Sequence, residues 1–414
     1  MNTNSPLKMY QISTLGSGCE IKISSDQCPG VCSTMVPSVP LLKPGVYPVL
    51  GESQLNLPDL LDFHLEHNPS YPLYIYADPE GSGSGSSKSV RTTTEIKALE
   101  YVRAVHRVAN FIWKDGNSKP GDVIGLVVNI DSLLYSVLIV GIIKAGMVPF
   151  PMSPRNSSAA LLHLMRKTSV HRLITSTSTQ PALKGVIDDL KAQLQTEDAS
   201  YELNIEQVPP FGQVFPVLGR ERAEDPFVPF DSRLVESPPK NEDKGLYLHS
   251  SGSTGFPKPI LFTHRIIKDN AAASSALPTF HMMGFCFQIL TPLYGLVTTA
   301  IFAPTMGLVK SEDTTGVQAV PTGPIVATPE SVLEAARIIK LQAMVVVPSL
   351  IHAWAVDDEA VEFLKSMRYL GFGGGPLAPR IAESLLARGV PVQAGYGGTE
   401  FGIVTVCIVF SYWY

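Results

Sequence analysis

Hydroxyls, glycines and one lysine crowd a short stretch of the chain, LYLHSSGSTGFPKPILFTHR at 246–265, between two apolar runs of strand-like composition. Ser250, Ser251, Ser253 and Thr254 can donate to phosphoryl oxygens. Gly252 and Gly255 allow backbone to approach a ligand closely, and Lys258 adds a mobile positive charge. A surface hairpin would use the same Ser, Gly and Pro, but a turn rarely needs all of these groups together. The chemistry points to a loop that holds a polyanion. A Walker loop needs Gly-Lys-Ser/Thr in direct succession ahead of a helix. Here Phe256 and Pro257 separate Gly255 from Lys258 and a strand-like run follows, which disfavours a P-loop kinase, ATPase or phosphotransferase.

Three further segments follow in order: FHMMG at 280–284, GFGGGPL at 371–377 and GYGGTE at 395–400. With YLHSSGSTGFPKP they resemble the motifs of the adenylate-forming superfamily: acyl-CoA synthetases, luciferases and adenylation domains of peptide synthetases. The resemblance covers about residues 90–402. KAGMVPFPMSPRNS at 144–157 narrows it to fungal non-canonical relatives of peptide synthetases, fused to a carrier and a reductase or thioesterase.

The resemblance implies ATP-dependent attack of a carboxylate on the α-phosphate, giving an acyl-adenylate and pyrophosphate. It places Tyr396 on adenine, Thr399 on the α-phosphate and Glu400 on Mg²⁺, with Gly397 between them. An aromatic face suits a purine and a hard carboxylate suits magnesium. Lys258, Thr399 and Glu400 would be the catalytic set. Gly374, Gly375 and Pro376 would join the ATP site, and Gly373, Gly374 and His281 the acid site. Consecutive glycines remove side chains where a ligand lies against backbone. Relatives that activate amino acids carry an aspartate beside the aromatic of FHMMG; no Asp or Glu occurs between Asn270 and Thr291. An aryl or simple carboxylic acid is therefore expected.

These residues need a scaffold. Over 94–112 the spacing of Ile96, Leu99, Val102, Val105, Val108 and Ile112 predicts a helix starting at Thr94. YPLYIYADP at 71–79 and SVRTTTEI at 89–96 read as a strand pair whose tip is EGSGSGSSK. From DVIGLVVNI at 122–130, strands and helices alternate, which implies parallel sheets covered on both faces. Residues 201–245 are Pro-rich and acidic and read as connections. The alternation then resumes to VPVQAGYG at 390–397. The expected fold class is α/β, with two successive, mostly parallel lobes of the adenylate-forming large N-terminal domain. The expected divisions are an irregular segment 1–50, a first lobe 51–238, a second lobe 239–402 carrying the ATP motifs, and an apolar tail 403–414.

That tail, IVTVCIVFSYWY, stands where the resemblance would have a hinge and a small domain bearing a catalytic lysine. The expectation is that the tail lies outside the native fold, that the small C-terminal domain and the carrier are absent, and that adenylation is impaired. The alternative is a catalytically silent nucleotide-binding remnant.

Composition bounds the rest. A chain of 414 residues with 45% apolar and 17% charged residues can bury large cores. Its net charge of −5, with no basic block, argues against nucleic acid or an anionic membrane as partner. The longest apolar run, 133–143, is too short to span a bilayer and is followed by Lys144, so it reads as a buried helix. Five scattered cysteines, with CPGVC at 28–32 lacking a second ligand pair, read as free thiols in a reducing cytoplasmic setting.

Overall fold

The computed structural model describes residues 45–49, 55–79, 92–114, 118–178, 180–235, 238–250, 255–270, 279–305, 324–400 and 402–406. EGSGSGSSK, CPGVC and most of the segment 1–50 lie outside them.

Helix α1, Leu57–His67, leads to strand β1, Pro72–Ala77, which pairs antiparallel with β2, Thr93–Lys97. Helix α2 then runs Ala98–Trp113. The helical spacing extends back to Thr94, but Thr94, Glu95 and Ile96 spend their backbone on the β1 ladder, so the helix begins four residues later than expected.

The first parallel sheet has the order β4-β3-β5-β6. Its strands are β3 (Val123–Val127), β4 (Val148–Pro151), β5 (Arg172–Thr175) and β6 (Asn204–Gln207). Helices α3 (Ser132–Lys144), α4 (Ser158–Thr168) and α5 (Pro181–Glu197) connect them. The run 133–143 is a buried helix, as its composition requires: every residue of α3 after Ser132 is buried. The segment 201–245 is not purely connection. Its β6 adds to the sheet beside β5, and a single turn, α6 (Phe211–Val214), follows. The strand's half-exposed edge position hides it from hydrophobic periodicity.

The phosphate-loop stretch forms an antiparallel hairpin, β7 (Lys244–Ser250) and β8 (Lys258–Thr263), followed by α7 (His264–Asp269). Side chains of β7 alternate between two surroundings, as a pleated strand dictates. Leu246 and Leu248 enter the largest core, while Tyr247 meets Phe150 of β4 at 5.6 Å between ring centroids. Although the boundary expected at 238/239 assigns this hairpin to the second lobe, its apolar residues, with those of 282–303, pack into the first core.

Helix α8, Met282–Phe285, passes through a π-helical turn, Cys286–Leu290, into α9, Thr291–Gly295. Strand β9, Thr299–Ala300, follows and lies parallel to β1.

The second sheet has the order β10-β11-β12-β13. Helix α10 (Pro329–Ile339) precedes β10 (Ala343–Val346). Helices α11 (Pro348–Trp354) and α12 (Asp358–Lys365), which the pattern did not single out, lead to β11 (Tyr369–Phe372). Helix α13 (Pro379–Ala387) precedes β12 (Val392–Gly398). Strands β10, β11 and β12 are parallel. The last strand, β13 (Gly402–Val406), pairs antiparallel with β12. The start of the expected tail thus belongs to the sheet, because β12 offers an unpaired edge; 407–414 lie outside the described residues.

Candidate functional site

Ser250 ends β7 directly opposite Lys258, the first residue of β8, so the hairpin brings a hydroxyl and an ammonium to the mouth of the loop. Ser251, Gly252, Ser253 and Thr254 lie outside the described residues. Gly255 has φ +139° with open space where a side chain would stand, a conformation that only glycine takes readily. Phe256 stacks on His163 of α4 at 5.1 Å and an interplanar angle of 20°, which fixes the loop's return limb.

His249, the residue before Ser250, is buried and accepts a hydrogen bond at its Nε2 from the Ser153 N–H at 3.0 Å. Ser153 follows β4, so the first sheet holds the base of the loop. Burial lowers the His249 pKa; the Ser250 backbone opposes the shift and nearby His281 adds to it. His281 stands at the N-terminal boundary of α8 in extended backbone conformation. The residue as a whole is exposed, but partial desolvation of its ring, and then the charge of Arg155, lower its pKa. Both imidazoles are therefore neutral near pH ~7.

The glycine segment closes the other wall. A Cβ on Gly373 would lie 3.2 Å from Met283 Cε and 3.4 Å from the Gly395 carbonyl oxygen. One on Gly395 would lie 3.4 Å from the Phe372 carbonyl. Two of the sequence segments thus meet backbone to backbone, and the Met283 side chain brings the third against them. Gly374 has φ +80° and opens on unoccupied space; Gly375 and Pro376 are exposed beyond it. From there β12 carries Tyr396, whose ring is 65% exposed, and Gly397. Thr399 and Glu400 occupy the turn between β12 and β13. Gly402, with φ +71°, packs so tightly on Asn270 that an added Cβ would clash with it, which ties this turn to the end of α7.

Lys258 and Glu400 are both exposed, and neither forms an ion pair among the described residues. No group of three or more His, Cys, Asp or Glu side chains able to cage a metal occurs among them.

Spacing did not single out His249, which holds the base of the loop. The detectable signal for His249 was a polar residue at an inward position of an otherwise apolar strand.

Comparison with known proteins follows this geometry. A family model described as AMP-binding enzyme matches residues 94–413. The chain is 37% identical over 381 residues to adenylate-forming reductase Nps9 of Serpula lacrymans, covering 88% of this chain and 32% of that protein. It is 31% identical to adenylate-forming reductase Nps10 of Heterobasidion annosum, covering 86% of this chain and 31% of that protein. The chain therefore spans about a third of the length of these curated relatives. Among solved structures, the N-terminal domain of FACL13 from Mycobacterium tuberculosis superposes with a TM-score of 0.60 at 17% identity, covering 83% of this chain and 76% of that one. The Klebsiella oxytoca NpsA N-terminal subdomain, solved in complex with anthranilyl-AMSN, gives 0.58 at 14% identity, covering 86% and 78%.

Proposed function

Since this chain belongs to the AMP-binding enzyme family, we propose that it adenylates a carboxylic acid. A carboxylate oxygen bonds to the α-phosphorus of ATP, and the bond from that phosphorus to the bridging oxygen breaks, releasing pyrophosphate. The observation that supports this reading is the close approach of Gly373 to the Met283 side chain and the Gly395 carbonyl, which brings three of the sequence segments together.

The residues take distinct parts. Tyr396 offers adenine an aromatic face, and Gly397 keeps the strand beside it open. The Gly374-Gly375-Pro376 backbone passes along the nucleotide. Ser250, the loop to Gly255 and Lys258 receive the phosphates, and Thr399 donates its hydroxyl to the α-phosphate. Positive charge and aligned donors lower the barrier by meeting charge as it builds on the phosphoryl oxygens. Glu400 would hold Mg²⁺, which when bound neutralises phosphate charge. His281 and the Gly373–Gly374 backbone border the acid.

The acid is an aryl or simple carboxylic acid, supported by the lack of Asp and Glu between Asn270 and Thr291. NpsA, solved with an anthranilyl adenosine ligand, is a fold neighbour that suggests aryl acids as first candidates. A carrier domain, as in the longer relatives, would accept the acyl group. Cys286, a buried free thiol, suits a reducing compartment such as the cytoplasm. No helix among the described residues is long and apolar enough to cross a membrane.

Acid-dependent exchange of labelled pyrophosphate into ATP tests the reading, with benzoate, salicylate and anthranilate as first acids. Exchange above the acid-free rate supports it. ATP binding without exchange for any acid leaves a silent nucleotide-binding remnant instead.

A further inference from the structure

We propose that His249 and Phe256 are positioning residues for the triphosphate, clamping both limbs of the phosphate hairpin to one turn-and-helix unit of the first lobe. The role rests on the adenylation reading above. The mouth of the hairpin lies where Ser250 faces Lys258. His249 immediately precedes the first of these residues, and Phe256 stands two positions before the second. Both side chains reach the same partner, the β4–α4 turn and the helix it opens.

On the outgoing limb, the Ser153 N–H donates to His249 Nε2 at 3.0 Å, so Nδ1 carries the ring's hydrogen. The imidazole also stands edge-on to Phe150 of β4, at 6.4 Å between centroids and 73°. Ser153 is itself fixed. Its Oγ accepts from the Arg155 N–H at 3.3 Å and its carbonyl from the Asn156 N–H at 3.1 Å. Ser157 then caps α4 by accepting from the Ala160 N–H. On the return limb, the same helix presents His163, on which the Phe256 ring lies at 5.1 Å and 20°. One piece of the first lobe thus grips the chain on either side of the mouth.

Both grips carry a cost that packing alone does not explain. The buried Nδ1–H of His249 meets no acceptor among the described residues, and an unpaired buried donor destabilises a fold. A side chain that only filled the core would bring no such donor. Phe256 remains 51% exposed, so its ring gains little from leaving water. What the two contacts supply is a fixed course for each limb. Ser250 and Lys258 must meet phosphate oxygens together, and a misplacement of about 1 Å can cost on the order of a hundredfold in rate.

The test is calorimetric titration of the 414-residue chain with ATP and Mg²⁺, and separately with AMP, which lacks the β- and γ-phosphates. His249→Phe keeps an aromatic ring on Phe150 but offers Ser153 no acceptor. It should weaken ATP by about tenfold while leaving AMP almost unchanged. His249→Gln, whose Oε1 can accept the Ser153 N–H, should recover part of the loss. Phe256→Leu reaches the clamp from its exposed side without touching the core, and should also weaken ATP more than AMP. That variant decides the matter if His249→Phe does not fold. An unchanged ATP affinity in Phe256→Leu, an equal loss for ATP and AMP, or a Gln variant no better than the Phe variant would each overturn the proposal. Failure of wild type to bind ATP at all would instead overturn the adenylation reading, and this role with it.

Discussion

Glu100 is 2% exposed in α2, and its Oε1 accepts from the Gly219 N–H at 2.7 Å. Burial raises its pKa to about 7 from an ordinary 4.5; the Gly219 bond opposes the rise and the charge of Glu221 adds to it. The fold therefore favours the protonated acid, and this stability is complete below the unfolded pKa and lost as pH rises through the folded one. Between about pH 5 and about pH 8 the loss should be on the order of 2–3 kcal/mol. Glu100→Gln keeps an acceptor for Gly219 without the titration, so its urea unfolding free energy should change less over that range than wild type's. Equal pH slopes for the two proteins would refute this. At the proposed metal position, Glu400→Gln leaves the turn's shape but removes its negative charge. Calorimetry with and without Mg²⁺ should show ATP affinity that no longer depends on the ion; a retained dependence would place magnesium elsewhere.

At the level of elements, α2 packs tightly on α3 at Gly141. A Cβ there would lie 2.4 Å from Val108 Cγ1 and 2.6 Å from its Cβ. Alanine in a helix interior ordinarily gains about 1 kcal/mol over glycine. Here overpacking outweighs it, and Gly141→Ala should destabilise by about 1–3 kcal/mol in chemical denaturation. Adding Val108→Ala to Gly141→Ala should cost less than the two single changes summed, since the second removes the atoms that clash; simple additivity would refute the contact. This pairing also marks the limit of what sequence conveys. The periodicity of Val102, Val105 and Val108 identified a helix and an apolar face, but not which glycine that face would meet. Likewise, the motifs from Ser250 to Glu400 were legible because their chemistry is written in residue type. The link from His249 to the first sheet was not, since a histidine in an apolar strand reads as core until the fold sets it against the Ser153 N–H. The early start given to α2 has a similar cause: Thr94 to Ile96 satisfy helical spacing and strand pairing equally, and only β1 decides between them.

At the scale of the whole molecule, the described residues form three apolar clusters, and the largest disregards chain order. It joins Leu60, Val105 and Leu138 from the first half to Leu248, Phe285 and Leu293 from the second. A second cluster lies within 332–392 and a third around β3, β4 and β5. A fragment ending at residue 238 would expose the first cluster's inner face, so we predict that it lacks a cooperative thermal transition by circular dichroism. A sharp melt for that fragment would show that the first core closes without the hairpin and α8.

The π-helical turn at Cys286–Leu290 sits between His281 and the part of its helix that the first lobe grips. Tyr74 Oη donates to the Gln288 carbonyl at 2.7 Å, and Thr291 Oγ1 to the Cys286 carbonyl at 3.1 Å. Such a turn amounts to one residue inserted into a regular helix. The wider turn absorbs the extra residue, so His281 keeps nearly the bearing relative to β1 that a plain helix one residue shorter would give it. Deleting a single residue within 286–290 should therefore leave that bearing almost unchanged but carry the Gln288 carbonyl away from Tyr74. The melting temperature should fall, making the wide turn a handhold for the first core; an unchanged melting temperature would refute this.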